Sequence, residues 1–405
     1  MNLFSRRKFL GAAVAAGITP MLPLSAKGGA QGLTPMSDIG KSKWDLDSPA
    51  LCVDLDKMER NIKKAQASLK AFGLEARPHA KTHKCPEIAK MQVAAGAIGI
   101  CTAKLGESEV MLENGIVNVL MTGVNISVPK INKAMALRKK YNGFIQAVDN
   151  LQNAQDLQDA AKAAGIKADV VVDINVIRRS GVLPGSPALA LAQQVDKSPN
   201  LRFRGILAYD GGVQHVMGHE KRLADCLKNI EPAIKSYEMM KAGGLNLEIF
   251  SGGGTGTYDM MHNVKGFTDV QIGSYVFMDC QYIEIGGSKN ITQYDDFEPS
   301  LTVMATIINS NYPGRLVTDS GAKALTLNQP AATTIGESGF KYNAGSDEYG
   351  VITFDHAAKT YKVGDKLELI VPHCDPVVNL YDVMYGIRNG KVESVLPILG
   401  RGKSQ

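Results

Sequence analysis

Ala168-Asp-Val-Val-Val-Asp173 is a run of β-branched residues with no alternation of apolar and polar positions inside it. A strand with one wet face alternates with a period of two. A strand without alternation is buried on both faces, as in a parallel sheet covered by helices. The same kind of run recurs in both directions. Ala50-Leu-Cys-Val-Asp54, Ile98-Gly-Ile-Cys101, Val117-Asn-Val-Leu-Met121 and Phe144-Ile-Gln-Ala-Val148 precede it. Phe203-Arg-Gly-Ile-Leu-Ala-Tyr209, Leu247-Glu-Ile-Phe250 and Val270-Gln-Ile-Gly273 follow it. Between them lie amphipathic, Ala/Lys/Glu-rich helical patterns at 56–70, 86–95, 151–164 and 220–241, and Ala95-Gly96, Asn114-Gly115 and Ala164-Gly165 read as helix stops.

This rhythm predicts an α/β architecture, a (β/α)8 TIM-type barrel over residues 46–284. No G-x-G-x-x-G opens the first strand-to-helix turn, which weighs against a dinucleotide-binding sheet. A barrel gathers its strand-end polar residues on one rim, here Lys81, Asn125, Asp149, Arg179, Tyr209 and the 252–256 turn. After residue 285 the pattern changes to strands separated by Gly, Asn, Pro and Asp turns, at 301–308, 315–318, 351–354, 366–371 and 392–399. These predict an appended C-terminal antiparallel β domain over residues 285–405.

The chain has 405 residues, 44% hydrophobic and 21% charged, a globular composition with room for two domains. A net charge of +5 gives no basic face for nucleic acid. Cys52, Cys85, Cys101, Cys226, Cys280 and Cys374 have no paired spacing, which argues against a disulfide framework and a CxxC zinc site. Residues 1–31 read as a twin-arginine-type export signal, with Ser5-Arg-Arg-Lys-Phe-Leu10 ahead of an apolar run and a cut after Ala26 or Ala30. The run is too short and too broken by Gly and Pro for a membrane span. The expectation is a periplasmic protein, exported folded and so able to take up a cofactor in the cytoplasm, with no membrane contact in its mature form.

The chemistry centres on Arg77-Pro-His-Ala-Lys-Thr-His-Lys84. A lysine at the end of a barrel strand can form a Schiff base with an aldehyde cofactor, and Lys81 is the candidate. The turn Ser251-Gly-Gly-Gly-Thr-Gly256 and the later Gly273-Ser-Tyr275 offer backbone N–H groups for a phosphate near the last strand ends. A Schiff-base lysine with a phosphate cradle and no nucleotide motif points to pyridoxal phosphate. His373 and Asp375, two apart in an extended segment, would face one way and could share an ion, with Cys374 facing the other way as a structural residue. His79 and His83 are expected to shape the pocket. His215, His219, His262 and His356 have no partner at a telling spacing and receive no role; Asp319 and Lys323 stay unassigned.

Taken together, Arg77-Pro-His-Ala-Lys-Thr-His-Lys-Cys-Pro-Glu-Ile88, Gly99-Ile-Cys-Thr102, Arg179-Ser-Gly-Val182, Ser251 to Gly256, Gly273-Ser-Tyr-Val-Phe-Met-Asp279 and Pro372-His-Cys-Asp-Pro376 resemble the D-threonine aldolase family. The 3-hydroxy-D-aspartate aldolases and D-serine dehydratases are its relatives. The resemblance runs from about residue 46 to residue 403. It implies the alanine-racemase-type pyridoxal phosphate fold, acting as a homodimer on a small D-3-hydroxy amino acid. It also implies Lys81 as the Schiff-base lysine and a divalent ion on His373 and Asp375. Phosphate contacts would come from Gly252, Gly253, Gly254, Thr255, Gly273, Ser274 and Tyr275, with Arg179 and Tyr209 near the pyridine ring. A carboxylate ligand suits Mn2+ or Mg2+ and admits Zn2+. The expected reaction is cleavage to glycine and an aldehyde. Dehydration to a 2-oxo acid and ammonia is the alternative, although the dehydratases tend to have Cys in place of Asp375, and racemisation is a third. Two departures fall on Asp210 and Tyr349, where relatives have His; both are expected near the substrate end of the pocket.

Overall fold

The computed structural model describes residues 36–177 and 180–405; the expected export signal and Arg179 lie outside the described residues. Eight parallel strands form one sheet: Glu75–Ala76, Ile100–Thr102, Val119–Val124, Phe144–Val148, Ala168–Asp173, Leu201–Ala208, Ile249–Gly252 and Asp269–Val270. Each pairs with the next in the chain, except that Glu75–Ala76 pairs with Asp269–Val270 at the other end. A bridge between His79 and Cys101 closes the ring. The central strands are buried along their whole length, which explains why they carry no alternation. The helices pack outside. Leu55–Ala71, for example, starts on Asp54, whose side chain accepts from Lys57 N, and buries Leu55, Met58, Ile62, Ala65 and Leu69 on one stripe.

The second sheet is antiparallel throughout except at one place. Its backbone order runs Lys341–Asn343, Gly350–Thr353, Arg315–Thr318, Leu301–Tyr312, Ala50–Asp54, Val383–Arg388, Lys391–Pro397. Lys366–Ile370 adds to Leu301–Tyr312, and Thr333–Thr334 adds to Lys366–Ile370. The exception corrects the sequence reading. Ala50–Asp54, expected to open the barrel, instead lies between Leu301–Tyr312 and Val383–Arg388, antiparallel to the first and parallel to the second. The barrel opens on Glu75–Ala76, a two-residue strand too short to announce itself. A fully buried strand reads alike in either sheet, so composition could not separate the two places. The β domain is therefore built from both sides of the barrel sequence.

A second correction concerns residues 373–375. His373 is extended, but Cys374–Val378 is a short helix that places Asp375 in its first turn. Pro376 sits in that turn, where its missing N–H breaks no helical bond. Among the described residues no helix is long and apolar enough to cross a membrane.

Candidate active site

The carboxyl ends of the barrel strands meet the β domain at a cavity of about 150 Å³, walled among others by Lys81, Thr82, Tyr209, His215, Tyr282 and Asp375. Lys81 follows the strand that closes the ring. Its Nζ stands 3.3 Å from Asp375 Oδ2, with the lysine side chain 41% and the aspartate 19% exposed. The Asp375 charge raises the Lys81 pKa against the opposing effect of burial. Burial pushes the Asp375 carboxyl up, but Lys81 and His373 together overcome it and hold it at about 2. The lysine is thus a charged ammonium across from a carboxylate.

His373 Nδ1–H donates to Asp279 Oδ2 at 2.9 Å, and the same oxygen accepts from Cys374 N at 2.9 Å. Asp279 Oδ1 accepts from Tyr282 N and caps the helix Cys280–Ile283. Burial would lower the His373 pKa, but the bond to Asp279 together with the Asp279 and Asp375 charges outweighs it and raises it. The bond also fixes the tautomer and leaves Nε2 as the free nitrogen of a cavity-lining ring. Asp279, His373 and Cys374 bring potential ligand atoms within 4.8 Å of one another. Asp279 is already committed by three hydrogen bonds, and burial pushes the Cys374 thiol far up. His373 Nε2 and the Asp375 carboxylate are the donors left to face the cavity.

Across the cavity lies the glycine-rich turn. Four of its carbonyls are held by hydrogen bonds. Gly252 O accepts from Gln271 N at 2.7 Å, Gly254 O from Thr257 N at 3.2 Å, Thr255 O from the Tyr294 hydroxyl at 2.6 Å and Gly256 O from Arg222 Nε at 2.7 Å. A peptide whose oxygen is held away from the cavity can turn its N–H toward it. A Cβ at Gly254 would meet Gln214 Oε1 at 2.6 Å, and one at Gly273 would meet Thr82 Oγ1 at 2.8 Å. Thr82 Oγ1 is itself buried and lies beside the Asp375 carboxylate, whose charged form it favours.

Not every predicted site residue faces the cavity. Lys81, Tyr209, Gly254, Thr255, Gly273, Ser274, His373 and Asp375 line it. Gly252 and Gly253 lie behind it, where Cβ atoms would strike Ala208 O at 2.0 Å and the Met261 side chain at 2.8 Å. The Tyr275 hydroxyl points away and accepts from Gln92 at 3.1 Å, while its N–H donates to Thr255 Oγ1 at 3.0 Å. Asp149 receives Gly181 N, and Asn125 donates to Gln146; neither lines the cavity. His79 shapes the pocket as expected: its Nδ1 accepts from Lys81 N at 3.4 Å.

Sequence reasoning missed His215 and Asp279. The His215 ring lies 4.4 Å from Tyr282 and 6.2 Å from His373, centroid to centroid. Burial lowers its pKa, which favours a neutral imidazole. Its only sequence signal was a histidine six residues after Tyr209. Asp279 stood inside a quoted motif, yet nothing there linked it to His373, 94 positions away.

Residues 53–281 match the family model for the alanine racemase N-terminal domain, and residues 300–387 match that for a serine dehydratase domain. A 3-hydroxy-D-aspartate aldolase of Paracoccus denitrificans is 35% identical over 90% of this chain and 94% of its own length. A D-threonine aldolase of Arthrobacter sp. is 34% identical over 92% and 97%. The chain belongs to the D-threonine aldolase family. The crystal structure of the D-threonine aldolase from Filomicrobium marinum superposes with a TM-score of 0.85 at 34% identity, covering 91% of this chain and 99% of that one.

Within the D-threonine aldolase family this chain's two departures have different places from those expected. Asp210 is turned from the cavity: Oδ1 accepts from Gly212 N and Val213 N, and Oδ2 accepts from Asn229. It shapes the turn that presents His215. Tyr349 is 51% exposed and does not line the cavity. Pyridoxal phosphate is the cofactor that the alanine-racemase fold implies, and these residues suit it. The Lys81 amine, the turn residues Gly254 and Thr255, Gly273, Ser274 and the buried Thr82 hydroxyl stand around one space. The oxygen and nitrogen donors of Asp375 and His373 likewise suit a divalent cation.

Proposed function

We propose that this chain is a pyridoxal phosphate- and divalent-metal-dependent aldolase that cleaves D-3-hydroxy amino acids, D-threonine-like, to glycine and an aldehyde. The observation that carries the reading is one cavity in which Lys81 Nζ, 3.3 Å from Asp375, shares its walls with His373 and the glycine-rich turn. Lys81 would attach the cofactor, the amides of Thr255, Gly273 and Ser274 would take its phosphate, and His373 Nε2 with Asp375 would hold the ion. Bound there, the cofactor supplies an electron sink at the substrate Cα, and the ion lowers the pKa of the β-hydroxyl. His215, kept neutral by burial, accepts the proton of that hydroxyl as the Cα–Cβ bond breaks. Lys81 Nζ returns a proton to Cα. The buried Tyr282 phenol, its pKa well above the usual value, stays protonated beside His215 and orients its ring.

Dehydration to a 2-oxo acid and ammonia is the second reading, favoured by the dehydratase-type match of residues 300–387. The carboxylate of Asp375, a harder ligand than a thiolate, weighs for the aldolase. Proton NMR decides between them. The protein is incubated with pyridoxal phosphate, Mn2+ and, in turn, D-threonine, 3-hydroxy-D-aspartate and D-serine. Glycine with an aldehyde is the expected product; a 2-oxo acid with ammonia would replace the aldolase reading by the dehydratase one. We also propose twin-arginine export to the periplasm, supported by Ser5-Arg-Arg-Lys-Phe-Leu10, and a homodimer. A reporter fused to residues 1–31 tests the first and light scattering the second.

A further inference from the structure

Arg222, in the helix His219–Ala242, is fully buried. Its guanidinium donates only to carbonyls: Nε to Gly256 O at 2.7 Å, Nη1 to Val216 O at 2.8 Å and Ile285 O at 3.1 Å, and Nη2 to Gly286 O at 2.7 Å. Among the described residues none of its donors meets a carboxylate. Asp259 and Asp296 are the acids whose field reaches it, and each has its own partner. Asp259 bonds His219 at 2.8 Å, and Asp296 accepts from the Tyr258 hydroxyl at 3.1 Å. A cation buried without a bonded counter-ion is costly. Burial pushes the Arg222 pKa down accordingly.

The Nε bond leads somewhere specific. Gly256 C=O and Thr257 N–H share one peptide plane and point in opposite directions. Thr257 N–H donates to Gly254 O at 3.2 Å. The plane of Gly254 C=O carries the Thr255 N–H, which has no acceptor among the described residues, and Thr255 lines the cavity. A hydrogen-bonded chain thus starts on a cation and ends, two peptide units later, on a free amide at the cavity. Each bond in such a chain strengthens the next, by about 10–30%.

We propose that Arg222 is a positioning residue for the cofactor's phosphate: its charge, relayed through the Gly256–Thr257 and Gly254–Thr255 peptides, sets the anion affinity of the glycine-rich turn. The inference rests on the pyridoxal phosphate reading above. The competing role is that of a staple, which merely ties the turn to the Val216 and Ile285–Gly286 segments. The two differ in what they do to a ligand without a phosphate.

The test compares the affinities of wild type and Arg222→Gln for pyridoxal phosphate and for pyridoxal, read from the absorbance of the lysine-bound aldehyde. The relay predicts that the preference for the phosphorylated ligand falls about tenfold or more in the variant, a change of about 1.4 kcal/mol. Equal losses for both ligands would overturn the relay and leave the aldolase reading standing. A wild type that binds neither ligand would overturn both. Should Arg222→Gln not fold, phosphorus NMR of the wild-type complex decides. A free phosphate monoester titrates with a pKa of about 6. A relayed cation keeps the bound group dianionic, so its signal stays constant from about pH 5 to about pH 8; a signal that titrates as the free ester does would overturn the proposal.

Discussion

The residues of the site are set by neighbours rather than by their own chemistry alone. Asp279 never reaches the free face of His373; it acts by fixing which nitrogen carries the proton. Asp279→Asn is expected to raise the Mn2+ concentration needed for half-maximal turnover by about 10–100-fold while leaving cofactor absorbance intact. An unchanged metal requirement would remove Asp279 from the ion site. His215 lines the cavity with its pKa lowered by burial and is the general base we propose, so His215→Ala should lower turnover by about 10²–10⁴-fold with cofactor absorbance unchanged. A loss below about threefold would mean that another group takes the proton. Neither residue was legible as a participant in the sequence. His215 and Asp279 lie 64 positions apart by their numbers, and only the fold brings both to His373. The place of Lys81 on the cavity wall, by contrast, was legible because a lysine directly after a strand-like run has few places to go in a barrel.

At the scale of elements, the barrel's opposite end carries a buried ion pair among its apolar side chains. Arg77 Nε donates to Asp269 Oδ1 at 3.0 Å, with the two side chains 4% and 1% exposed, and Arg77 Nη1 donates to Asn118 at 2.9 Å. Asp269 also accepts from the Ser251 and Thr268 hydroxyls. These bonds join the first strand of the ring to the last two. Removing one partner of a buried pair leaves an uncompensated charge, so Arg77→Met is expected to cost about 3–5 kcal/mol in urea unfolding. Pairing it with Asp269→Asn should recover part of that loss. A single-variant cost below about 1 kcal/mol would show that the floor charges are independent. The helices and central strands of this barrel were legible because periodicity reports burial, and burial is local. The membership of Ala50–Asp54 was not, because both candidate sheets bury it equally.

For the whole molecule, acid should act in part through a buried histidine of the segment that follows the first barrel strand. His83 is fully buried; its Nδ1 accepts from Cys85 N at 3.1 Å, and the Gln92 side chain lies against it. Burial lowers its pKa from 6.5 to about 4. The unfolded chain therefore binds this proton below about pH 6.5 while the folded one refuses it until about pH 4. The stability this residue contributes is complete above about pH 6.5 and is lost as pH falls through that window, by up to about 3 kcal/mol. His83→Asn keeps an acceptor for Cys85 N, and its unfolding free energy should fall less steeply over the same window. Parallel slopes would assign the acid sensitivity elsewhere. Taken by itself, the sequence determined the barrel, the appended β domain, a strand-end lysine, both glycine-rich turns and the neighbouring His373 and Asp375, because each is written in a period, a turn composition or a short motif. Only the tertiary structure decided that residues 50–54 belong to the second sheet and that Asp279 and His215 stand against His373. Those are pairings across tens of residues, and chain separation carries no information about which carbonyl or carboxylate a buried donor will meet.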